Sequence, residues 1–134
     1  MRYSELVGSG YMARNDLNCA ETMLNAANEA YDLGLDASAL RVACAFGGGM
    51  GAEKTCGALT GGLMVLGCRL ATDRSHQDDR MTAIRDEFVA AFQSRFGTTE
   101  CAVIKQTHRD PVNGCQPIVA ATSELIEEIV ERNS

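Results

Sequence analysis

The sequence predicts an all-α, compact single-domain bundle of about six or seven helices. Apolar residues recur at helical spacing through most of the chain. Asn, Asp, Thr and Gly stand where such helices would start and stop. No stretch alternates convincingly in the manner of a strand. The 134 residues fit one domain, 1–134, able to bury a single sizeable core. With no Trp, two Pro and few aromatics, that core must be built from Leu, Ile, Val, Met, Ala and Phe. A polar turn at Thr72 to Gln77 is the one candidate boundary, but each half would be too small to stand alone comfortably.

The elements follow in order. Residues 2–14 place Tyr3, Leu6, Val7 and Tyr11 at helical spacing, with Gly8 and Gly10 weakening the helix. Asn18 caps the next helix, Cys19 to Leu33, whose apolar stripe is Ala20, Met23, Leu24, Ala27 and Tyr31. Gly34 closes it. Asp36 caps a short helix, Ala37 to Phe46, with Leu40, Ala43 and Cys44 on its inner face. The stretch FGGGMGAEKTCGALTGGLMVLGCRLA, Phe46 to Ala71, then reads as a glycine loop followed by a helix capped by Thr55. Gly57, Gly61 and Gly62 leave that helix a nearly bare face, where another backbone or a bulky bound group could approach closely. Leu59, Leu63, Leu66 and Leu70 form its apolar edge. Asp78 to Phe96 is the clearest helix, with Met81, Ile84, Phe88, Val89, Phe92 and Phe96 in period and Gly97 as its stop. Thr98 or Thr99 caps a short helix through about Gln106. The loop Thr107 to Pro117 leads to the last helix, Ile118 to Arg132, with Ile118, Thr122, Leu125, Ile126 and Ile129 inward and acids outward.

Composition narrows the function. A net charge of −6 argues against nucleic acid or an anionic membrane as the main partner. No apolar run approaches a membrane span, and the N-terminus lacks the apolar core of a secretory signal, so a cytoplasmic location is the expectation. No nucleophile–base–acid set, phosphate loop or HExxH element is visible.

Six cysteines, at 19, 44, 56, 68, 101 and 115, are many for such a chain. In a reducing compartment they point to metal-binding or redox chemistry rather than permanent disulfides. They divide into two kinds. Cys19, Cys56 and Cys101 fall in helix first turns, and Cys115 lies in a loop leading into a helix. There unpaired N–H groups and the helix dipole favour a thiolate. Cys44 and Cys68 fall in helix interiors, where packing is the better reading. The first four would gather at one end of the bundle as a four-thiol site for an iron–sulfur cluster or a structural zinc. Zinc is less favoured, because its usual closely spaced cysteine pairs are missing. His108 could join such a site, although a solvated loop residue is the plainer reading. His76 and the Glu53–Lys54 pair read as surface, with Lys54 near enough to Cys56 to lower its pKa.

The chain also resembles a family of redox-active proteins known by the cysteine pattern C_GCAxxG_C_C. The resemblance rests on Cys56-Gly57-Ala58-Leu59-Thr60-Gly61, preceded by FGGGMG, together with Asn18-Cys19-Ala20, Cys101 and Cys115. It covers nearly the whole chain and leaves Cys44 and Cys68 outside the pattern. It implies redox activity, often without an assigned reaction, and an oxidoreductase or other protein partner. Through the similarity of that family to the non-haem part of split-Soret cytochromes, it further implies a [2Fe–2S] cluster. The chain has no Cys-x-x-Cys-His, so covalent haem is not expected.

Three functions compete at this point. The first is electron transfer or redox sensing through a cluster held by Cys19, Cys56, Cys101 and Cys115, with Gly57 and Gly61 giving it close approach. The second is thiol–disulfide chemistry with Cys56 as attacking thiol and a resolving cysteine, which requires a fast-reacting Cys56. The third is a non-enzymatic zinc-binding or interaction module with an acidic surface. Homo-oligomerisation is compatible with each.

Overall fold

The computed structural model describes residues 1–134 and is built of α-helices with no strand. Its centre is a 14-residue helix with a single charge. Helix α5, Gly57–Leu70, carries none before Arg69 in its last turn. A helix apolar all round belongs inside. Accordingly Ala58, Leu59, Val65, Leu66 and Leu70 are buried, and α5 packs on α3 (Cys19–Ala30), α6 (Asp79–Phe96) and α8 (Gln116–Asn133).

The α5 glycines serve two different neighbours rather than one bare face. A β-carbon at Gly61 would lie 2.7 Å from the Ala20 carbonyl oxygen and 2.9 Å from Ala20 Cα. One at Gly62 would lie 2.7 Å from Ile126 Cδ1 and from Phe88 Cζ. Gly61 therefore lets the backbones of α3 and α5 touch, and Gly62 seats α5 against α6 and α8. Successive helix positions point about 100° apart, so adjacent glycines must face different partners.

Around this centre lie α1 (Tyr3–Gly8), α2 (Tyr11–Arg14), α4 (Ala37–Leu40) and α7 (Cys101–His108). The all-α expectation holds, and the element count is slightly higher because two expected helices break. The segment expected over 2–14 divides between α1 and α2, where Gly10 takes φ 88°. The helix expected from Ala37 to Phe46 keeps one α-turn, α4, and continues as a 3₁₀ turn at Arg41–Ala43. Helix α3 ends at Ala30 rather than Leu33, with Asp32 already at φ 51°. Asn18 and Asp36 cap as expected, accepting from the N–H groups of Glu21 and Ala39; Asp78, expected as the first residue of its helix, instead caps it, accepting from the Met81 N–H. Gly97 ends α6 in the left-handed conformation, φ 77°. No helix is long and apolar enough to cross a membrane.

One acid of α8 departs from the expected outward face. Glu127 is 8% exposed. It accepts from the Ser4 backbone N–H at 3.1 Å, Ser4 Oγ at 2.8 Å and an Arg2 nitrogen at 2.7 Å. It thereby clamps the start of α1 onto α8.

Candidate functional site

Four helix starts converge on one side of the bundle, and each brings a cysteine. Cys19 is the first residue of α3. Its cap Asn18 also donates from Nδ2 to the Cys44 carbonyl at 3.0 Å, tying the segment after α4 to the head of α3. Cys56 is itself the N-cap of α5, so Thr55 does not cap that helix. Thr55 instead pairs with Glu100 in an isolated antiparallel bridge. The Cys56 N–H donates to the Thr99 carbonyl at 2.9 Å, and the Cys101 N–H donates to the Lys54 carbonyl at 2.6 Å. These two bonds bind the entry of α5 to the entry of α7 and set Cys56 beside Cys101. Glu100, not Thr98 or Thr99, occupies the N-cap position of α7.

Cys115 is the N-cap of α8. A tight turn presents it: Asp110 and Gly114 exchange backbone bonds at 2.8 and 2.9 Å, and the Asp110 carboxylate accepts from the N–H groups of Val112 and Asn113. Gln116 Nε2 then donates to the Val7 carbonyl at 2.9 Å, anchoring this corner to α1.

The glycines expected to matter here do so sterically. A side chain on Gly57 would collide with Cys19 Sγ. One on Gly49, whose φ is 62°, would lie 2.8 Å from Cys101 Cβ. The loop thus leaves its space to the thiols themselves. Gly61 is not at the cavity; its close approach is to Ala20, one helix turn further on.

Cys19, Cys56, Cys101 and Cys115 all line a single cavity of about 340 Å³. Met12, Ile104 and Ile118 supply apolar wall, and Lys105 and Arg109 are its two charged residues. All six cysteines are free thiols. No group of three or more His, Cys, Asp or Glu side chains is gathered as one metal ion would require.

The electrostatics reverse one expectation. Burial pushes the Cys56 thiol up to about 12; the Ala58 and Leu59 N–H groups at the head of α5 pull it down, and neighbouring Cys19 and Cys101 push it up. The helix-start effect is present with the expected sign, but desolvation outweighs it. Burial likewise raises Cys101, against the pull of Lys105 and Arg109. Cys115 is raised by burial first and by nearby Cys19 second, with Arg109 and Lys105 opposing.

The other candidates lie elsewhere. Cys44 and Cys68, expected to be packed, are exposed. Cys44 loses its helical setting where α4 unwinds, and Cys68 lines a shallow apolar groove with Leu35, Val42 and Met64. His108 is the last residue of α7 rather than a loop residue, and it sits edge-on to Phe96 with centroids 5.1 Å apart. His76 is exposed in a 3₁₀ turn, and Lys54 is exposed off the cavity wall. Lys105 and Arg109 went unnoticed in the sequence. A signal was available: Lys105 follows Cys101 by four residues, which places it over that cysteine on a helix.

A family model described as "Putative redox-active protein (C_GCAxxG_C_C)" matches residues 17–129. The match spans all four cavity cysteines and the Cys56 to Gly61 element. No curated protein and no solved structure matches the chain. With most of its length under that family model, the chain belongs to the C_GCAxxG_C_C family.

Proposed function

We propose that the protein carries electrons, or senses redox state, through an iron–sulfur cluster bound by Cys19, Cys56, Cys101 and Cys115. The observation that carries this reading is the convergence of these four thiols, and neither of the other two, on one cavity. The donor set fits: both common cluster types are held by four cysteine thiolates. Zinc is less favoured, because the closely spaced cysteine pairs usual for it are missing from the chain.

When bound, such a cluster supplies one-electron oxidation and reduction. The chain's own residues prepare the place for it. Helix starts aim N–H groups toward the sulfurs, as those of Ala58 and Leu59 do at Cys56. Met12, Ile104 and Ile118 keep water from part of the wall. The Thr55–Glu100 bridge fixes two thiol-bearing helix entries relative to each other. The high pKa of Cys56 suits a thiol that loses its proton only when a cation replaces it. It weighs against Cys56 as an attacking thiol at neutral pH.

Anaerobic reconstitution with iron and sulfide tests the reading. Stoichiometric iron and acid-labile sulfide with visible absorption are expected. Neither element bound, or zinc bound alone in a competition, would overturn it. Fast alkylation of Cys56 at neutral pH would favour the dithiol alternative.

A further inference from the structure

Charge at the cavity runs opposite to charge in the chain. The sequence has 18 acids against 12 Lys and Arg, yet no carboxylate lines the cavity and two cations do. Both come from one short stretch. Lys105 stands one turn after Cys101 on α7, and Arg109 directly follows that helix. The Arg109 guanidinium lies across Gly114, its Nε and a terminal nitrogen 3.8 and 3.9 Å from where a β-carbon there would be. Gly114, φ 61°, immediately precedes Cys115. Arg109 makes no ion pair; Lys105 has one, to the exposed Glu53 at 3.2 Å.

We propose that Lys105 and Arg109 form a charge-compensating wall for the thiol cavity, stabilising a negative centre among the four thiols and drawing anionic groups to its mouth. The role rests on the four-thiol reading above, but the cationic wall itself can be measured without any cluster. Four thiolates around iron and sulfide leave a net negative centre, and the potential of such a centre responds to nearby charge. Two cations beside it favour the reduced, more negative state. The same two residues oppose the effect of burial at Cys101 and Cys115. Glu53 acts against the wall by pairing with Lys105.

The test compares two reagents on the reduced, metal-free chain. Iodoacetate is anionic and iodoacetamide neutral, and both attack the same thiolate. The ratio of their rates at Cys101 and Cys115, read by peptide mass mapping, cancels the thiolate fraction and reports the local field. The Lys105→Gln/Arg109→Gln variant should lower that ratio several-fold. Glu53→Gln should raise it. Molar salt should bring the wild-type ratio close to that of the double variant. Arg74→Gln, at a turn remote from the cavity, should leave it unchanged. Equal ratios in wild type and double variant would overturn the proposal. On cluster-loaded protein the double variant should also show a lower midpoint potential, about 59 mV for each tenfold change in the one-electron equilibrium. An unchanged potential would again overturn it. Should wild type bind no iron, the cluster reading fails, and the reagent ratio still decides whether the wall exists.

Discussion

Glu127 and the thiol cavity each bury groups that can carry negative charge, and the fold treats them differently. Glu127 receives three donors from the start of α1: a backbone N–H, a hydroxyl and a guanidinium. The thiol cavity gives Cys56, 4% exposed, only the N–H groups at the head of its own helix, and burial dominates there. The fold thus answers the carboxylate from within and leaves the thiols with unmet demand. A buried group already satisfied by its neighbours reads as structural; a cluster of buried groups facing a cavity reads as waiting for a partner.

Separating the two ends by substitution sharpens this contrast. Glu127→Ala leaves the Ser4 donors without their acceptor and Arg2 with Glu131 alone, at a cost of about 1–3 kcal/mol. Thermal unfolding should fall accordingly while iron loading per folded chain stays intact. Gly57→Ala should do the reverse. Its methyl needs the space of Cys19 Sγ, so loading should drop severely. Stability should change less, because alanine returns roughly 1 kcal/mol of helix propensity. If both substitutions lowered loading equally, the two ends would not be independent.

Alkaline titration probes the same contrast more gently. The folded pKa of Cys56, about 12, lies above its ordinary value. Its protonated form is therefore the one folding favours, and that stability is complete below the unfolded pKa, near 9. It is lost as pH rises from about 9 toward 12. Metal-free wild type should lose melting temperature across that window, and Cys56→Ala should lose less. An identical alkaline decline in both would show that Cys56 is not desolvated as the fold implies.

The smallest effect belongs to Cys44→Ser and Cys68→Ser. Both residues are exposed, so each change should alter stability by no more than about 0.5 kcal/mol. Alkylation of the metal-free protein should mark these two thiols before Cys56. Labelling of Cys56 first would invert the division between cavity and surface.

Much of this was legible in the sequence because it is local. Asn18, Asp36 and Asp78 announce helix starts through side chains that reach only three residues. The division of the cysteines into helix-start and interior sets likewise needs only capping and periodicity, and it separates the cavity thiols from the others. What escaped is non-local. Thr55 looks like a cap until Glu100 arrives to pair with it. Glu127 looks like a surface acid until Arg2 and Ser4 fold over it. Cys56, Cys101 and Cys115 look like thiolates until burial by the converging helices raises them. Cys44 and Cys68 show that interior position along a helical segment does not fix burial, which depends on which faces the neighbouring elements cover.

The central claim is that four particular thiols act as one site. A panel of single serine substitutions at all six cysteines, each reconstituted without oxygen and assayed for iron, sulfide and visible absorption, tests it most directly. Cys19→Ser, Cys56→Ser, Cys101→Ser and Cys115→Ser should each lose the cluster or alter its spectrum, while Cys44→Ser and Cys68→Ser match wild type. Loss of the cluster in Cys44→Ser or Cys68→Ser, with any of the four cavity variants unaffected, would contradict the account.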